Sequence, residues 1–190
     1  RYRQISTFGS GTIRTFAQNS SEMKKLAARD FEDLLQCAIP AFEGLLDEPH
    51  NRRLLKLLYR TAEWHGLAKL RMHTDSTLAL LESLTTEFGV LMRDFQRLTC
   101  SEFATVELPR EAAARKRREK NKTAWTTHHT KFKMCCRAST EASSNPSGGP
   151  KAQTLNLAFI KFHFLGDYVR HIRLFGTTDS YSTQLVCTLA

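Results

Sequence analysis

No stretch of this chain approaches the ~18 uninterrupted apolar residues that a membrane-spanning helix needs, and no apolar run at the N-terminus precedes a small-residue cleavage site. A bilayer-spanning role and a secretory leader are therefore not expected. Cysteine is scarce and irregular: Cys37, Cys100, Cys135, Cys136 and Cys187 are odd in number and form no regular framework, so reduced thiols in an intracellular compartment are expected. Also missing are a P-loop, a Gly-rich dinucleotide turn, an HExxH pair, and any Ser-His-Asp or Cys-His order with persuasive spacing. His128, His129, Cys135 and Cys136 suggest zinc, but as adjacent pairs they depart from the ~2–4-residue ligand spacing of structural zinc sites.

What is present is a strong charge imbalance in one place. The 190 residues carry a net charge of +9. Ten Lys/Arg and two Glu fall between Arg110 and Arg137, a local balance of +8, which leaves the rest nearly neutral. A polyanionic partner would meet that segment. The run ARKRREKNK suits phosphate-backbone contact or nuclear import, with Arg115, Lys116, Arg117, Arg118, Lys120 and Lys122 as the contacting residues. Trp125 and the neighbouring histidines add only a weak suggestion of base stacking, and no base-reading motif accompanies them. The plainer alternative is a solvated basic linker.

Helical periodicity dominates elsewhere, and 41% apolar residues suffice for a core. Residues 1–19 read as an irregular lead-in. A first helix is expected after a Ser20 or Ser21 cap, carrying Met23, Leu26, Phe31, Leu34 and Leu35, with Pro40 stopping or bending it. The second, from about Arg52 to Met72, is apolar nearly all round and should be central. Thr74 caps a third, Asp75–Thr99, whose Leu81, Leu84, Phe88, Leu91, Phe95 and Leu98 form a heptad seam that suits packing within the domain. Pro109 starts a fourth, solvated helix. A flexible Ser/Gly/Pro-rich linker occupies 139–154, and Leu155–Phe175 reads as helix overall, ended by Gly176. The expected fold is mainly α: a helical bundle fragment of three to five helices with a basic, partly disordered linker and no complete RNase H-like sheet. The expected division is 1–108, a helical region; 109–154, a basic helix and linker; and 155–190, a C-terminal helix and irregular tail.

Among the acids Asp30 draws most interest, because the ridge Leu26–Asp30–Leu34 places it toward the packed side, where a carboxylate needs a partner or a job. An ion pair with a basic residue of another helix is the plain reading. Glu32 and Asp33 are expected to point more toward solvent. His65, Lys69 and His73 share a ridge at i, i+4 and i+8, but eight residues span ~12 Å of helix, too far for one shared metal. A hydrogen-bonded histidine pair at the core edge, or phosphate contact through Lys69, remains open. Glu63 is expected near a cleft opened by Gly66.

The phrases AARDFEDLLQCAIPAFEGLL, EPHNRRLLKLLYRTAEWHGLAKLRMHTDSTLALLES and LGDYVRHIRLFGTTDSYSTQ resemble the distal part of the Plavaka transposases of basidiomycete fungi, within the CACTA-like group. The resemblance covers roughly residues 1–108 and 155–184. It implies an RNase H-like enzyme with a DDE-type carboxylate site, in which two divalent ions, Mg2+ or Mn2+, activate water and then a DNA 3′-hydroxyl for phosphoryl transfer. By similarity to the family pattern "acid–x–x–x–Leu–hydrophobic", Asp30 of DFEDLL takes the late-helix acid's role and a metal-ligand place, with Glu32 as runner-up. The family's other metal-binding acids and its sheet lie upstream of what this chain contains. Where its members continue past GTTDSYSTQ with an acidic, His-containing stretch, this chain reads LVCTLA, and it begins with Arg1. The expectation is a nuclear, DNA-binding remnant of a cut-and-paste transposase, inactive alone and holding no metal of its own. A helical nucleic-acid- or protein-binding module without catalysis is the alternative, and an unrelated metal-dependent enzyme a third.

Overall fold

Helix boundaries in this chain are decided by which backbone groups find partners. In the computed structural model, which describes residues 1–9, 13, 15–23, 26–128 and 149–178 (without the side chains of 120 and 122–128), α1 spans Ala28–Gln36. It starts later than the Ser20 or Ser21 cap implies. Ser20–Glu22 form only a 3-10 turn, and the Asp30 carboxylate reaches back to accept the Ala27 N–H at 2.7 Å. An acid at the third helical position satisfies an orphan donor and complements the positive helix end.

The chain breaks at Cys37 and resumes as α2, Ala38–Phe42. Pro40 explains the break: it has no N–H to donate back to Gln36, and its ring crowds that carbonyl, whereas it is tolerated in the first turn of a new helix. The Arg1 guanidinium closes the far end of α2, donating to the carbonyls of Glu43 and Gly44 at 2.5 and 3.2 Å. Tyr2 packs edge-on to Phe16 and Phe42 and donates its hydroxyl to Leu34 O at 3.1 Å.

Helix α3, His50–Ala68, is the central element, packing on α1, α2 and α4. Helix α4, Asp75–Phe95, has the expected Thr74 cap: its hydroxyl accepts the Thr77 N–H at 3.3 Å, and the Thr77 hydroxyl accepts the Thr74 N–H at 2.9 Å. The seam runs true through Leu81, Leu84 and Phe88, all buried. It then departs from the heptad expectation. Gln96–Cys100 form a π-helical turn, and the extra residue per turn rotates the register, so Leu98 is exposed and Thr99 fully buried. His50 Nδ1 lies 3.3 Å from Thr99 Oγ1, joining this turn to the start of α3.

Residues 155–159 are not helical, and Phe159 is extended. Then come α6 (Ile160–His163), a 3-10 turn (Phe164–Asp167) and α7 (Tyr168–Phe175). Gly176 ends α7 at φ 85, where its N–H closes on Ile172 O at 3.0 Å. Ile172 joins Trp64, Ala68, Leu78, Leu81 and Leu84 in one core, with Tyr168 stacked edge-on to Trp64 at 4.8 Å. The indole N–H is satisfied by Thr85 Oγ1 at 2.8 Å. At the end of α3, Thr178 donates to Ala68 O at 3.0 Å.

The chain is mainly helical; among the described residues the only β pairings are isolated bridges, Phe8 with Ile13 and Val106 with Ala152. It divides into two compact units, Arg1–Glu102 with Asn156–Ala190, and Phe103–Leu155. The second contains α5, Pro109–His128. Most of the expected 139–154 linker and of the tail after Thr177 lies outside the described residues, as do His129, Cys135, Cys136 and Cys187.

Candidate functional site

The acids of α1 do not sit as their spacing predicts. Asp33, expected near solvent, is only 5% exposed, whereas Phe31, expected to be packed, is 58% exposed. The helix is short and turned so that Asp33 and Cys37 face inward together. Burial, followed by the nearby Asp33 charge, pushes the Cys37 thiol up, so it stays protonated. Asp30 is half-buried. Its bond to Ala27 gives it a local structural job that the ridge argument did not contain. It borders a shallow pocket of about 290 Å³ beside Phe16, Met23 and Leu26.

Glu32 faces α3. One of its oxygens lies 2.8 Å from Lys69 Nζ and 3.8 Å from His65 Nε2. His65 is pushed down by burial, with Glu32 opposing and Lys69 reinforcing that shift, so it is neutral near pH 7. The cluster ties α1 to α3 and occupies Lys69 within the fold. The His65–Lys69–His73 ridge is not continuous, because α3 ends at Ala68. His73 lies in the following loop, its Nδ1 3.3 Å from the Thr77 hydroxyl, and its buried Nε2 finds no hydrogen-bond partner among the described residues. Glu63 accepts from Arg60 at 2.6 Å.

Asp30 and Glu32 therefore point to different surroundings. Among the described residues no three His, Cys, Asp or Glu side chains are grouped to hold a metal ion. These donors alone do not fit a two-metal centre.

The basic segment is ordered differently. Glu107, just ahead of α5, has a side chain only 3% exposed. Both its carboxylate oxygens accept from Arg115 Nε at 3.2 Å, one also accepts from a terminal Arg115 nitrogen, and that same oxygen accepts the Lys151 N–H at 3.0 Å. The Arg115 hydrogen bonds, then the Lys151 N–H, hold this carboxyl below its ordinary range. Around it the Glu107 N–H donates to Lys151 O at 2.8 Å and the Gln153 N–H to Thr105 O at 2.9 Å. The Glu111 carboxylate accepts the Leu108 N–H at 2.9 Å, capping α5.

Arg115 is thus engaged inside the fold, while Arg110, Lys116, Arg117 and Arg118 are exposed on α5, and Lys120 and Lys122 continue the same helix. The acids of α5 are segregated. Glu111, Arg115 and Glu119 follow one another at i, i+4 and i+8, with Arg115 and Glu119 3.5 Å apart. At about 100° per residue, Arg110 and Arg117 fall nearly opposite that ridge. Sequence reasoning missed Glu107, whose partner segment at 149–153 lies some forty residues away with no local signal connecting them.

Separately, an apolar groove of about 280 Å³ lies among α4, α6 and the turn that follows, floored by Phe88, Met92, Phe162 and Leu165. No helix among the described residues is long and apolar enough to cross a membrane. Comparison of the chain with protein-family models, with curated proteins and with solved structures found no match.

Proposed function

We propose that this chain is a transposase-derived helical region that binds DNA phosphates through α5 and does not cut DNA by itself. The observation that carries the binding is the exposure of Lys116, Arg117 and Arg118 on α5, with Arg117 nearly opposite the Glu111–Arg115–Glu119 ridge. Such a surface attracts phosphates without reading bases, because no recognition pattern accompanies the cations. The transposase ancestry rests on the three phrases that resemble Plavaka proteins, and a nuclear location on the same basic run. The absence of cutting rests on Asp30 and Glu32 having separate surroundings and on no metal-holding group of three His, Cys, Asp or Glu among the described residues. A nucleic-acid-binding module of other descent would use the same helix in the same way.

Duplex DNA binding should be measured by anisotropy across a salt series. Three phosphate contacts predict a log–log slope of about −2.7, and replacing Lys116, Arg117 and Arg118 with Gln should remove most of it for any sequence. Absence of binding at low salt, or a salt-independent affinity, refutes the reading. A Mg2+- or Mn2+-dependent nicking assay tests the other half. Nicking by the chain that Asp30→Asn abolishes would restore a catalytic role, and nicking that survives the substitution would remove Asp30 from it.

A further inference from the structure

A charged helix without an apolar stripe has nothing of its own to fix which side faces its neighbours. Helix α5 is such a helix, yet its side is fixed at Arg115. The Glu107 carboxylate gathers three segments at one point: residues 105–107, the second turn of α5 through Arg115, and the 149–153 segment through the Lys151 N–H. Arg115 also donates to Gly149 O at 3.3 Å. With Arg115 turned inward and flanked at i−4 and i+4 by Glu111 and Glu119, the opposite side of the helix carries Arg110 and Arg117, with Lys116 on one flank and Arg118 on the other.

We propose that Glu107 is a positioning residue for anion binding: by holding Arg115 it orients α5 so that a face centred on Arg117 and flanked by Lys116 and Arg118 meets the phosphates, while Arg115 itself touches no phosphate. This rests on the nucleic-acid reading above and adds to it a division of labour among the cations. It also reverses a simple electrostatic expectation. Removing an acid near a DNA-binding helix should strengthen binding by raising the local positive charge. Removing this acid should weaken it, because the face loses its orientation.

The experiment compares full-length Glu107→Gln with Glu119→Gln, which makes the same charge change on an exposed side chain. Affinity for a duplex is measured against salt, and helix content is followed by circular dichroism. Glu119→Gln should tighten binding. Glu107→Gln should weaken it and make the slope shallower by about 0.9, the loss of one simultaneous phosphate contact. A third variant, Glu107→Met with Arg115→Leu, keeps the net charge and replaces the ion pair by an apolar one, an exchange that folds tend to tolerate. It should bind with wild-type slope, which holds the test open even if Glu107→Gln loses helix. Tighter binding by Glu107→Gln, or a slope reduced by one contact in the double variant, overturns the positioning role while the nucleic-acid reading stands. No binding by the unaltered chain overturns both.

Discussion

The two units of this chain solve the same problem with different materials. The larger buries Trp64, Leu78, Leu81, Leu84 and Ile172 against one another, and threonines satisfy polar groups around that core: Thr74 at the start of α4, Thr85 on the indole, Thr178 on the last turn of α3. Among its described residues the smaller has no buried apolar side chain. Its buried group is a carboxylate, and its order comes from one acid, one guanidinium and a short backbone pairing. An apolar core is held by a non-directional force, whereas a buried ion pair depends on both partners being present and ionised. The second device nevertheless suits a basic helix, because it fixes the helix without spending its cationic face on packing.

The largest expected effect lies in the first unit. Leu81 is fully buried, so Leu81→Ala should cost about 2–5 kcal/mol by denaturant unfolding. Hydrogen exchange should rise through α3, α4 and α7 and remain unchanged in α5. A cost below 1 kcal/mol would mean that the core is not centred there.

Arg115→Ala should act on the other unit alone. It leaves the Glu107 carboxylate buried and unpaired, so protection should be lost at Glu107, Lys151 and Gln153 with no change in the α3–α4 core. Protection unchanged at those amides would show that the backbone pairing holds without the ion pair. Smaller again is Thr74→Ala, which removes the cap of α4 and should cost about 1 kcal/mol.

Acid should separate the units by pH. His65 titrates below the ordinary histidine value when folded, so its contribution is complete above that value and falls away as pH drops below about 6.5. Glu107 has a depressed carboxyl, so its contribution is complete above the ordinary carboxylate range and is lost only as pH falls through and below it. Amide exchange should therefore loosen slightly at the α1–α3 contact first and at the Glu107 clasp later; the reverse order would contradict both assignments.

Much of the larger unit was legible residue by residue. Thr74 followed by Thr77, the spacing of Leu81, Leu84 and Phe88, and Gly176 after α7 are local signals, and each appears where its chemistry requires. The acids were less legible. Asp30 was singled out by a ridge drawn through a helix that begins at Ala28, so its part in starting that helix was hidden. A helix continued back to the Ser20 region places Asp33 toward solvent, whereas α1 begins at Ala28 and buries it. The π-helical turn after Phe95 shifted Leu98 and Thr99, a change of register that a heptad count cannot anticipate.

Local sequence determined the helical character, the central α3, the cap of α4 and the concentration of charge near α5, because these depend on neighbours within a few turns. Tertiary structure alone decided which carboxylates are spoken for. Glu32 meets Lys69 across two helices, and Glu107 meets Arg115 two helical turns on and Lys151 forty-four residues away. A charge is satisfied by whatever stands within a few ångströms, whatever its distance along the chain, so the partners of these acids appear only once the chain is folded.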